Sequence, residues 1–259
     1  MPEIKGTSDK KLAAMRKAGQ IMAGLYRDLR KQVKPGVTEK ELDAWVRKEI
    51  VKRGGTVAYD DLPKFGDPAF PGAICISTND EIIHGAPSDY VLEEGDKVSF
   101  DLDIGYGGYY VDSAFTMTVG KKASSAVKNL IKANEEAMWA GIHKVKAGVD
   151  LGTVGHAIEE VLRKNKLGVI ENYVGHGIGE TMHEGPEVAN YGVPGQGYVL
   201  KSGDVICIEP MASLGKPDNY ISKADGWTVL LKDGSIGAHV EHTVLVKEDG
   251  YEVLTALKN

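Results

Sequence analysis

The chain has 259 residues, 42% apolar and 26% charged, with a formal net charge of -6. That length supports a sizeable core in one large domain or two small ones, and the composition is ordinary for a soluble globular protein. No basic stripe offers itself to nucleic acid, and no run of 18 apolar residues could cross a membrane, so neither a nucleic-acid substrate nor a membrane is expected.

Helical periodicity opens the sequence. Leu12, Met15, Ala18, Ile21, Met22, Leu25 and Leu29 recur at intervals of three and four, and Lys34-Pro35-Gly36 breaks the run. Thr38 with Glu41 predicts a capping box, followed by the stripe Leu42, Trp45, Val46, Ile50 and a stop at Gly54-Gly55. A short apolar run, residues 73–77, reads as a strand, and residues 98–104 and 109–119 read as the arms of a hairpin turning at 105–108. Helical patterns then return at 127–145 and from 151 onward. Lys34-Pro35-Gly36-Val37-Thr38 matches Lys146-Ala147-Gly148-Val149-Asp150, 112 residues later. The strand ending at Asp101 (Gly95-Asp96-Lys97-Val98-Ser99-Phe100-Asp101) matches the strand ending at Glu209 (Gly203-Asp204-Val205-Ile206-Cys207-Ile208-Glu209), 108 residues later. These pairs predict a single α+β domain, 1–259, with an internal duplication of about 10–120 and 124–250. The halves would pack around a pseudo-twofold axis with their sheets joined.

Chemistry is carried first by carboxylates. Asp101 and Asp112 fall on the two hairpin arms, where cross-strand geometry brings them side by side. Two such charges in an apolar setting repel, so they either share a proton or hold a metal. Glu209 ends a second apolar strand, and Glu241 sits inside the strand-like run Ala238 to Val246. If the halves correspond, four carboxylates converge and require divalent cations. His176, in Gly175-His176-Gly177-Ile178-Gly179, is the candidate nitrogen donor, which suits manganese, iron, cobalt or zinc better than calcium. His84 and His183 are candidates to hold substrate and stabilise a developing oxyanion. His143 and His156 read as structural helix residues. His239 and His242 flank Glu241, and alternation is expected to turn both to the other face. Cys75 and Cys207 read as reduced core thiols. The opening MPEIKGTSDKK lacks an apolar signal core, so a cytoplasmic location is expected.

Taken together, His84-Gly85, the Asp101…Asp112 spacing, Gly175-His176-Gly177-Ile178-Gly179, His183-Glu184, Ile208-Glu209-Pro210-Met211 and Glu241-His242-Thr243 resemble type I methionine aminopeptidases of the short bacterial form (peptidase family M24). The resemblance covers nearly the whole chain. It implies the pita-bread fold, two pseudo-symmetric αβ halves with a central antiparallel sheet. It also implies two divalent metal ions (cobalt, manganese, iron or zinc). Asp101, Asp112 and Glu241 would hold one ion, and Asp112, His176, Glu209 and Glu241 the other. His84 and His183 would contact the reacting amide and carbonyl, and Glu209 would act as general acid/base. A metal-activated water would attack the first peptide bond and release the initiator methionine from nascent proteins with a small second residue, near the ribosome, in a monomer.

The same resemblance lines the methionine pocket with Phe70, Cys75, Met182 and Trp227. The chain departs from the familiar pattern there: Asp67 stands where an aromatic is common, Phe70 where tyrosine is common, and Met182 where an aromatic is common. Asp103 is an added carboxylate on the strand face of Asp101, either supporting the site or lying beyond it. The rival readings are an Xaa-Pro aminopeptidase or prolidase, which shares the fold and donors, and a metal-free paralogue that binds proteins or RNA.

Overall fold

A computed structural model describes residues 8–61 and 69–256, so the expectations at Phe65 and Asp67 lie outside the described residues. Four helices appear among these residues: α1 (Asp9–Leu29), α2 (Glu39–Lys52), α3 (Ser125–Ile142) and α4 (Leu151–Lys164). The strands of the first half are β1 (Thr56–Val57), β2 (Cys75–Thr78), β3 (Glu81–Ile83), β4 (Lys97–Tyr106) and β5 (Tyr109–Thr118). The second half contributes β6 (Gly168–Val169), β7 (Gly175–Gly177), β8 (Glu184–Val188), β9 (Val205–Ile208), β10 (Met211–Ser213), β11 (Asn219–Ile221), β12 (Val229–Leu231), β13 (Gly237–His239), β14 (Glu241–Lys247) and β15 (Gly250–Val253). No described helix is long and apolar enough to cross a membrane.

Each helix starts where a short polar side chain can accept from a free backbone N–H. The Ser8, Thr38, Ser124 and Asp150 side chains take the N–H of Lys11, Glu41, Val127 and Thr153 respectively. Glu41 returns the bond to the Thr38 backbone, completing the expected capping box. The two matched segments before α2 and α4 also make matched bonds. Gly36 N–H donates to Leu92 O and Gly148 N–H to Leu200 O, while Thr38 bridges Val91 and Asp150 bridges Val199. Gly36 and Gly148 sit at φ of +92° and +85°, a left-handed turn that glycine adopts without strain.

The main sheet has nine strands in the order β1-β4-β5-β14-β9-β7-β8, with β2 also on β4 and β15 also on β14. Its middle is the antiparallel β5–β14 seam, where Glu241 faces Ala114 and His242 faces Ser113. Outward from that seam the order is the same in both directions: β4 then β2 on one side, β9 then β7 on the other. Alternation along β4 turns Phe100, Leu102 and Ile104 toward Met15, Met22, Leu42 and Ile50 of α1 and α2. In the second half Ile206, Ile208, Val244 and Val246 pack with Leu130, Ile142, Val154 and Ile158 of α3 and α4. Each of these large side chains contributes on the order of 1.5–3 kcal/mol by leaving water. The helices thus cover one sheet face. The opposite face of β4 carries Ser99, Asp101 and Asp103, all buried.

Candidate metal centre and its pocket

The hairpin register sets the first carboxylates. Asp103 lies directly opposite Asp112, and Asp101 lies opposite Ala114. Asp101 and Asp112 are therefore diagonal neighbours rather than a facing pair, a correction to the simple side-by-side expectation. Ala114 faces Glu241 across the seam as well. One small side chain is thus flanked by a carboxylate on each neighbouring strand, which leaves room between them. Glu209 follows the end of β9, and His176 is the central residue of β7 on the other edge of β9.

All of these groups are buried: Asp101, Asp103, Asp112, His176, Glu209 and Glu241 are 9% exposed or less. His176 Nε2 stands 3.9 Å from Asp112 Oδ2 and 3.4 Å from Glu209 Oε1. Its Nδ1 is 3.0 Å from the Gly177 carbonyl oxygen, which accepts the proton and so fixes the tautomer with Nε2 free to ligate. Burial, reinforced by the neighbouring carboxylates, pushes the carboxyls of Asp101, Asp103 and Glu241 well above the usual range. Burial likewise raises Glu209 to about 8, opposed by His176. Without added positive charge this cluster would have to hold protons.

The donor set fits divalent cations. Asp101 Oδ1, Asp103 Oδ1, Asp112 Oδ1 and Glu241 Oε1 are buried with no hydrogen-bond partner among the described residues. Donors about 2.0–2.2 Å from one ion stand roughly 3–4 Å from each other, which is the spacing around His176 and longer than a good hydrogen bond. Donor atoms of Asp112, His176, Glu241 and Cys207 lie within 4.8 Å of one another. Cys207 is the odd member. Burial pushes its thiol well above the ordinary range, and its Sγ stands 3.7 Å from Thr243 Oγ1. It remains a core thiol beneath the carboxylates, and among the described residues Cys75 and Cys207 are free cysteines.

Every residue expected at the site lines one cavity of about 220 Å³: Phe70, Cys75, His84, Asp101, Asp112, His176, Met182, His183, Glu209, Trp227 and Glu241. Its apolar end is an aromatic box. Phe70 packs 4.7 Å from Tyr59 and edge-on to Trp227 at 5.5 Å between ring centroids, and the Tyr59 hydroxyl is 3.3 Å from Cys75 Sγ. Two histidines approach from the rim. His183 is exposed, with its ring 4.4 Å from that of His176. His84 stands edge-on to Tyr173 and adopts φ of +56°, on a turn whose next residue, Gly85, leaves no room for a Cβ against the Ile76 carbonyl. Burial lowers the His84 ring to about 4, so it is neutral at pH 7.

Sequence reasoning missed several lining groups. Tyr59, Ile83, Tyr173 and Val174 carry no local signal, because their place depends on tertiary packing. Asp103, left open, lines the cavity. His239 corrects an expectation: it does not turn away from Glu241 but lines the cavity, because residues two apart share a strand face. His242 does face the other way, toward Ser113 and Thr255.

The chain belongs to metallopeptidase family M24, whose sequence pattern it matches over residues 13–248. Within that family it is similar to methionine aminopeptidase 1 of Bacillus subtilis, at 40% identity over 95% of this chain and 96% of the relative. It is similar in structure to the methionine aminopeptidase of Thermotoga maritima, with a TM-score of 0.93, 37% identity, and 98% and 100% of the two chains covered. A prolidase from Pyrococcus furiosus aligns with a TM-score of 0.75 at 24% identity, over 98% of this chain and 66% of the prolidase, a likeness of fold. The pita-bread fold shared by these proteins is the fold described above.

Proposed function

We propose that this protein removes the N-terminal methionine from newly made proteins, using two divalent cations. The observation that carries the reading is the buried donor cluster beside a closed aromatic box, within one small cavity. Asp101, Asp112 and Glu241 would hold one ion, and Asp112, His176, Glu209 and Glu241 would hold the other. When bound, the ions supply an acidified water and Lewis-acid polarisation of the scissile carbonyl. Phe70, Cys75, Met182 and Trp227, with Tyr59, surround the thioether side chain, a soft group that aromatic edges favour. His183, at the rim, donates to the carbonyl oxygen as charge develops there. Neutral His84 donates to the reacting amide. Glu209 takes the proton of the attacking water and returns it to the leaving amine. The box closes behind the first side chain, so only a chain end enters, and a small second residue fits best past the rim. The protein acts as a monomer on nascent chains, near the ribosome in the cytoplasm. Its halves, about 10–120 and 124–250, are duplicates of one unit, a reading supported by the matched helix starts and mirrored strand order.

Purified protein incubated with Met-Ala-Ser and a divalent cation should release methionine, and chelation should stop it. An Ala-Pro dipeptide should remain intact. Cleavage of Ala-Pro without methionine release would favour the prolidase-like reading and overturn this one.

A further inference from the structure

His239 is a buried imidazole, 2% exposed, at the end of β13. Its backbone is clamped by one side chain. The His239 N–H donates to Thr116 Oγ1 at 3.2 Å, and the same hydroxyl donates to the His239 carbonyl. Thr116 Oγ1 is in turn 2.8 Å from Ser99 Oγ. With its main chain so fixed, the ring enters the cavity between two carboxylates. Nε2 is 3.5 Å from Glu209 Oε2, and Nδ1 is 4.0 Å from Asp101 Oδ2. Neither ring nitrogen has a hydrogen-bond partner among the described residues.

A buried polar ring with both nitrogens unpartnered is uncommon, since such groups are nearly always satisfied. An imidazolium paired with these carboxylates would sit at about 2.7–2.9 Å. The observed gaps are wider. They match donors arranged around a shared ion, as between His176 and the opposite oxygen of the same Glu209 carboxylate.

We propose that His239 is a second imidazole donor of the metal centre, supplying nitrogen on the side of Asp101 and Glu209 opposite to His176. This rests on the metal-centre reading given under the proposed function. It makes both ion positions mixed nitrogen and oxygen sites, so the centre prefers ions that favour imidazole, such as cobalt, iron or zinc, over manganese.

The test is metal binding by the metal-free protein, with Co²⁺ and Mn²⁺ each titrated calorimetrically into the unmodified protein and into His239→Gln. The unmodified protein should bind both ions, and the variant should lose at least about tenfold in Co²⁺ affinity with a smaller loss for Mn²⁺. A second measurement does not depend on the variant folding. Pulsed electron paramagnetic resonance of the Mn²⁺-loaded, ¹⁵N-histidine-labelled unmodified protein should detect two coupled histidine nitrogens, of which the folded variant retains one. Unchanged Co²⁺ affinity in a folded variant, or a single coupled nitrogen in the unmodified protein, would overturn the assignment of His239 while leaving the centre intact. Failure of the unmodified protein to bind either ion would overturn the metal centre and His239 together.

Discussion

Glu209 stands between two imidazoles, with one carboxylate oxygen toward His176 and the other toward His239. Burial raises its carboxyl to about 8, opposed by His176. Glu209→Gln preserves size and packing but removes its proposed proton transfer and a charged donor. Turnover on Met-Ala-Ser should fall by about 10²–10⁴-fold, while circular dichroism of the metal-free protein should be unchanged. Wild-type turnover would remove Glu209 from the reaction. The clustering of the carboxylates was legible because a carboxylate ending or interrupting an apolar strand is costly without a partner. His239 was not, because it was grouped with His242 on the strand's other face, although the two lie on opposite sides. Tyr59 was silent for another reason: it sits in a short 3-10 turn, Ala58–Asp61, with no periodic pattern to announce its direction.

Among the elements, β2 and β3 have an unusual fastening. Lys97, fully buried at the start of β4, donates through Nζ to the Ser77 and Glu81 carbonyls at 2.9 and 2.8 Å. It ties together the two short strands, of which β3 leads directly into His84. Burial lowers the Lys97 ammonium to about 7, opposed by Glu81, Asp80, Glu39 and Asp96. Between about 7 and its ordinary value of 10.5, the unfolded chain binds more proton than the folded one, so this lysine makes stability rise with pH in that window. Below about 7 the contribution is lost. Glu81, raised to about 7 by burial, acts oppositely below that pH: its contribution is present at acid pH and fades as pH rises from 4.5 toward 7. Denaturant unfolding of wild type and Lys97→Met at pH 7, 8 and 9 isolates the lysine. Wild type should gain up to about 1.4 kcal/mol per pH unit relative to the variant; parallel curves would contradict the assignment. The helices were legible from their caps and apolar stripes, and the hairpin from its paired runs. A lone lysine at a strand start reads as surface, since only the fold of β2 and β3 over it buries it.

At the scale of the molecule, the proposed donors are divided across the β5–β14 seam: Asp101 and Asp112 on one side, His176, Glu209 and Glu241 on the other. Cations bound there should therefore stabilise both halves together. At a free concentration 100 times Kd, one ion adds about 2.7 kcal/mol to folding. Calorimetric unfolding should show one transition that moves up with Co²⁺ or Mn²⁺ and back down with chelator. Two transitions, only one of them responding, would contradict a shared centre. The twofold plan was visible in the matched segments, because helix starts and carboxylate-ended strands leave residue-level marks. That the two sheets join was expected, but which strands meet was not legible, because pairing 131 residues apart, as in the bond from the Asp112 N–H to Thr243 Oγ1, leaves no local trace.

The seam also has a consequence for an incomplete chain. The β5 edge pairs with β14, which is made much later, so a chain interrupted between them carries a strand with unpaired N–H and C=O groups beside clustered, uncompensated acids. Such an edge recruits other strands and favours clumping. The same closure that gathers the acids removes that edge, so the cluster is completed and the exposed edge lost in one event.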